Sequence, residues 1–88
     1  MSSTEGFVEQ AISLAKQATA FDSSGSIAAA VYYYQQSAAL LTQAKAMGFN
    51  AASIDDKIKQ YSERANVLDQ QRGAYYLSNR IQLNIFLD

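Results

Sequence analysis

The chain has 88 residues, 49% of them hydrophobic and 17% charged, with a formal net charge of −1. A chain of this length makes one domain, burying roughly 60–65% of its unfolded surface with a modest stability margin. The near-neutral balance excludes the basic footprint of a nucleic-acid binder, and the absence of Cys and His removes a disulfide framework, the commonest general base and the commonest metal ligand.

With no Pro in the chain, no helix loses a backbone donor, and the glycines supply the punctuation. The first helix is predicted over about residues 5–21. Ser2 with Glu5 forms a capping-box pattern, and Glu5 and Glu9 suit the positive end of the helix dipole. Val8, Ala11, Ile12, Ala15, Ala18 and Thr19 make one apolar stripe, widened by Phe7, Leu14 and Phe21. Asp22-Ser-Ser-Gly25 reads as a stop and corner, with Gly25 free to take positive φ.

The second helix is predicted from Ser26 or Ile27 to Met47. Ile27, Ala30, Val31, Tyr34, Ala38, Leu41 and Ala44, with Tyr33 and Leu40 beside them, leave it apolar on more than one face. That is the pattern of a middle helix in a bundle. Gly48 suits the position after the helix end, and Asn50 or Ser53 suits the next cap. The third helix is predicted over about residues 51–72, with Asp55 and Asp56 in the first turn and a stripe of Ile54, Ile58, Tyr61, Ala65 and Leu68. Short connections force antiparallel neighbours, so the fold class is all-α, an antiparallel up-down-up three-helix bundle over residues 1–72.

Residues 73–88 form an apolar extension. Ile81, Leu83, Ile85 and Leu87 alternate as in a strand, while Leu77, Ile81 and Ile85 share a helical face. Periodicity leaves both open for so short a run; helix is favoured. No apolar run approaches the ~20 residues that span a bilayer. Met1-Ser-Ser-Thr-Glu5 lacks the basic and apolar regions of a signal peptide, so a soluble intracellular protein is expected.

Four segments together resemble the MIT (microtubule interacting and trafficking) domain over about residues 7–70. They are Ala11-Ile12-x-Leu14-Ala15-x-x-Ala18, Asp22-x-x-Gly25, Ala30-Val31-x-x-Tyr34 and Ile54-x-x-Lys57-Ile58-x-x-Tyr61-x-x-Arg64-Ala65-x-x-Leu68. The Ala46-Met47-Gly48 corner and the third-helix pattern look nearest the calpain-type members. The resemblance implies a non-catalytic adaptor without cofactors, the N-terminal targeting piece of a larger cytoplasmic protein recruited peripherally to endosomal or other membranes. The implied partners are C-terminal motifs of ESCRT-III-type subunits, with no direct membrane insertion.

Two grooves are implied by the same resemblance. The groove between helices two and three takes a Leu-rich amphipathic helix, the type-1 motif, and maps to Thr42, Lys45, Lys59, Ser62, Glu63 and Asn66, with Glu63 placed to pair with the motif's Arg. Ser62 stands where the family usually has Leu, and Thr42 also replaces an apolar residue. One lost Leu contact of about 1.5–3 kcal/mol weakens affinity roughly ten- to a hundred-fold. The groove between helices one and three takes an extended, Pro-containing segment and is lined in part by Ala15 and Thr19. Within the extension, Leu77-x-x-Arg80-Ile81 resembles the core of a type-1 motif but fails at Asn84.

Other features have plainer readings. A helix turns Tyr32, Tyr33 and Tyr34 onto faces ~100° apart, which is no stacking platform for bases; Tyr34 is the core residue. Asp55 and Asp56 are dipole partners rather than a metal fragment. Glu63 and Arg64 belong to a solvated face, and with no His near the serines no enzyme is indicated. The rival reading is a structural, self-associating module: the helix pairs also resemble tetratricopeptide hairpins, and residues 73–88 offer a surface for self-association.

Overall fold

The computed structural model describes the backbone of residues 3–49 and 52–87 and the side chains of residues 6–49 and 52–73. Three helices follow one another: α1 (Ser3–Ser24), α2 (Ile27–Ala46) and α3 (Ala52–Leu87). The expected caps at Ser2 with Glu5 and at Asn50 lie outside the described residues, and Ser53 sits inside α3 rather than capping it.

The first two helices stop for one backbone reason. Gly25 has φ +82° and Gly48 φ +104°, a region in which a side chain is strained. After α1, the Ser26 N–H donates to the Phe21 carbonyl at 2.9 Å and the Gly25 N–H to the Asp22 carbonyl at 3.2 Å. After α2, the Phe49 N–H donates to the Ala44 carbonyl and the Gly48 N–H to the Lys45 carbonyl, both at 3.0 Å. Each pair is a Schellman motif, which satisfies carbonyls that the helix end would leave bare. Since Gly25 is the residue that breaks the helix, α1 runs past Phe21 to Ser24.

Both other helices pack along α2. Its buried residues, Ala30, Val31, Tyr34, Ser37, Ala38, Leu41 and Ala44, recur every three or four positions. On α1, buried Ala11, Ala15 and Ala18 keep the contact surface small, so the two backbones approach closely. At that approach the fully buried Ser37 donates its hydroxyl to the Ala11 carbonyl at 2.7 Å, so this buried hydroxyl has the partner it needs. The core has two parts. Ala18, Ala30, Val31, Tyr34, Ala65 and Leu68 form one; Ala11, Leu41 and Ile54 form the other. Tyr61 of α3 packs against both.

The third helix departs from its predicted end. α3 continues without a break through Gly73 to Leu87. A single glycine inside a helix costs only about 1 kcal/mol; here it lies between Gln70-Gln71-Arg72 and Ala74 with no Pro to follow. At 36 residues and 1.5 Å per residue, α3 is roughly 54 Å long and sets the longest dimension of the molecule, 62 Å. The backbone of the 73–87 segment is therefore helix, not strand.

An ion pair clasps α1 to α3. Asp22 lies in the last turn of α1, where the dipole disfavours a carboxylate. Arg64 of α3 donates to it from Nε and Nη2, both at 2.8 Å, and Tyr34 of α2 donates its hydroxyl at 3.1 Å. Arg64 is thus engaged with another helix rather than merely solvated. Its bonds hold the Asp22 carboxyl below the usual range, against the opposing effect of burial. A carboxyl with a lower pKa in the folded chain contributes stability that is present above its unfolded pKa of about 3.9. That contribution is lost as pH falls through the folded value. The urea midpoint is expected to drop below about pH 4, and Asp22→Asn to flatten that acid limb. An equally steep limb in the variant would locate the sensitivity elsewhere.

Candidate functional site

Two residues of the α1 stripe are not core. Ile12 is 49% exposed and Thr19 is also exposed, whereas their neighbours Ala11, Ala15 and Ala18 are buried. On α3 the same division appears. Ile54, Ala65 and Leu68 are buried, while Lys57 is exposed and Tyr61 half-buried on the flank turned toward α1. The result is a groove between α1 and α3, with Ala15 at its base and longer side chains along its walls.

The groove holds two adjoining cavities. The wider one, about 470 Å³, is lined by Ile12, Ala15, Lys16 and Thr19 of α1 and by Lys57 and Tyr61 of α3. The narrower one, about 160 Å³, lies toward the start of α1. It is lined by Val8, Ile12, Leu41, Ser53, Ile54, Lys57 and Tyr61. Leu41 and Ile54, each nearly inaccessible, make its apolar floor. Ile12, Lys57 and Tyr61 border both cavities.

Tyr61 is fixed from two sides. Its ring stacks on Tyr34 with centroids 5.9 Å apart, and the Lys57 ammonium stands 5.8 Å from its centroid, within cation–π range. The Thr19 hydroxyl donates to the Ala15 carbonyl at 2.9 Å, which leaves its methyl as the less committed part of the side chain. An apolar trough with a rigid aromatic wall and a few polar rim groups is the usual form of a peptide or small-molecule site.

The predicted α1–α3 residues Ala15 and Thr19 therefore line one cavity together. Sequence reasoning missed Ile12, Lys16, Lys57 and Tyr61 as groove residues. The signal was present in the i, i+4, i+7 spacing of Ile12, Lys16 and Thr19 and the i+4 spacing of Lys57 and Tyr61, which puts each set on one flank.

The predicted α2–α3 residues are distributed differently. Lys59, Glu63 and Asn66 are exposed and Ser62 is half-buried, and their spacing places them on the flank of α3 opposite Lys57. Thr42 is exposed and donates its hydroxyl to the Ala38 carbonyl of its own helix at 2.8 Å. Lys45 pairs with Asp55 across the α2–α3 corner at 2.6 Å, each side chain half exposed. That pair occupies two charges that the sequence assigned to a groove contact and to a helix dipole.

The sequence model of the MIT (microtubule interacting and transport) domain matches residues 8–70. The chain belongs to the MIT domain family. The match covers all of the α1–α2 hairpin from Val8 and the part of α3 that faces it, and it does not distinguish the calpain-type members from the rest. MIT domains are in general non-catalytic helical modules that bind other proteins. No curated protein and no solved structure gives a match. No helix among the described residues is long and apolar enough to cross a membrane.

Proposed function

We propose that this MIT domain reads short C-terminal motifs of ESCRT-III-type subunits, and that it brings a larger cytoplasmic host protein to endosomal or other membrane-trafficking sites. The α1–α3 groove is the working surface, taking an extended, Pro-containing segment. The observation that carries this reading is the continuous trough from Val8 to Thr19, with Tyr61 held at its centre. Ser62 and Thr42 speak against the alternative groove, because a Leu-rich helix would meet two polar side chains there. The tetratricopeptide reading fits the geometry poorly. Its helix–turn–helix unit occupies about 34 residues, whereas α1 and α2 alone run from Ser3 to Ala46 and α3 has 36 residues.

The test is a two-dimensional NMR titration of the labelled domain with one extended and one type-1 ESCRT-III tail peptide. With the extended peptide, amide shifts are expected at Ile12, Ala15, Thr19, Lys57 and Tyr61. Shifts confined to Thr42, Lys45, Lys59, Ser62, Glu63 and Asn66 would move the site to the α2–α3 side. No shifts with either peptide, with lines that sharpen on dilution, would favour the self-associating reading.

A further inference from the structure

The proposed groove carries a charge pattern that narrows its ligand. Lys16 on α1 and Lys57 on α3 line the same 470 Å³ cavity from opposite walls. Among the described residues, neither has a carboxylate within ion-pair distance. The Lys57 ammonium also stands over the Tyr61 ring, 5.8 Å from its centroid. Next to this cationic stretch lies the 160 Å³ cavity, whose floor is Leu41 and Ile54. An apolar cavity of about 150 Å³ accommodates a benzene ring, so this one has room for a single apolar side chain.

Resting on the reading of the groove as a motif site, we infer that its ligand is an acidic extended peptide. One apolar side chain fills the Leu41–Ile54 cavity, and a carboxylate a residue or two along the peptide lies between Lys16 and Lys57. Two exposed cations facing each other across the groove attract an anion between them, which makes a carboxylate the favoured occupant. The pattern also places the acidic part of the ligand, whichever way its chain runs. Helical spacing puts Glu9 on the same flank of α1 as Ile12 and Lys16, one turn before Ile12, so the acidic end of the ligand points toward Thr19. Asp56, next to Lys57 in sequence, is turned ~100° away on α3.

The probe is a short Pro-containing peptide with one Leu, made in three forms that carry Glu, Gln or Lys at the two positions on either side of the Leu. Affinities are measured by calorimetry, and amide shifts are recorded on the same samples. The Glu form is expected to bind about tenfold more tightly than the Gln form, and the Lys form more weakly than either. The Lys16→Glu, Lys57→Glu double variant is expected to reverse that order, with a melting curve close to the parent's because both side chains are exposed. Equal affinity of the Glu and Gln forms, with shifts still centred on Ile12 and Tyr61, would overturn the charge assignment and leave the groove reading standing. Failure of all three forms to shift any groove amide would overturn both.

Discussion

Truncating Tyr34 to Ala is expected to remove about 3–5 kcal/mol of stability, the range for deleting a large aromatic side chain from a core. The total available to a chain of this length is on the order of 4–13 kcal/mol, so the variant stands near the edge of folding. The size of the effect follows from position. Tyr34 is 7% exposed and belongs to the buried cluster that joins α1, α2 and α3. Its ring lies against Tyr61, and its hydroxyl donates to Asp22, the carboxylate that clasps Arg64. One truncation therefore opens a cavity, loosens the wall of the groove and weakens the link between α1 and α3. Tyr34→Phe separates these contributions. It keeps the ring and loses one hydrogen bond to a charged group, so about 1–2 kcal/mol is expected. Urea denaturation of the two variants makes the comparison. A loss below about 1 kcal/mol in the Ala variant would mean that the three helices do not meet at this residue.

Tyr34 also marks how far the fold can be read without coordinates. Its placement as the core member of the Tyr32-Tyr33-Tyr34 run follows from helical geometry alone, and Tyr32 is 56% exposed while Tyr33 stacks on Phe21. The two glycine corners were equally legible, because positive φ is a local property. Contacts between distant residues were not. Asp22 and Arg64 are 42 positions apart, and nothing in either neighbourhood says that the carboxylate ending α1 meets the guanidinium in mid α3. The Lys45–Asp55 pair was hidden for the same reason. The end of α3 escaped because Gly73 carries a strong stop signal in sequence and only a small free-energy cost in a helix.

The groove was half legible, for a physical reason that the Ile12 stripe makes plain. Spacing tells which side of a helix is apolar but not how far away the next helix stands. Ala11, Ala15 and Ala18 meet α2 at close range, while Ile12 and Thr19, on the adjoining flank, look across a gap at Lys57 and Tyr61. The apolar stripe of α1 is therefore wider than the core it covers. The surplus is what a binding surface requires, since a large apolar side chain left half exposed in a concave setting gains from a partner what it does not gain from the fold.

That division between folding and binding makes Ile12→Asp the most discriminating change in the groove. Ile12 borders both cavities and is 49% exposed. Replacing it removes the apolar surface that a peptide would cover and sets a carboxylate beside the stretch proposed to receive an acidic ligand. Together these effects are expected to weaken binding of the acidic extended peptide by at least a hundredfold, about 2.7 kcal/mol. The cost to folding is expected to stay below about 1 kcal/mol, because the side chain is half exposed and Asp lowers helix propensity only modestly against Ile. Leu68→Ala is the control of opposite sign. Leu68 is 2% exposed, belongs to the core and borders neither cavity, so its truncation costs about 2–5 kcal/mol of stability and disturbs binding only through the fold. Calorimetry with the peptide and urea unfolding on both variants separate the two cases. If Ile12→Asp binds the peptide as the parent does, the ligand does not lie across the junction of the two cavities, whatever else it touches. If it unfolds as readily as Leu68→Ala, Ile12 is a core residue, and the gap between α1 and α3 is closed in solution.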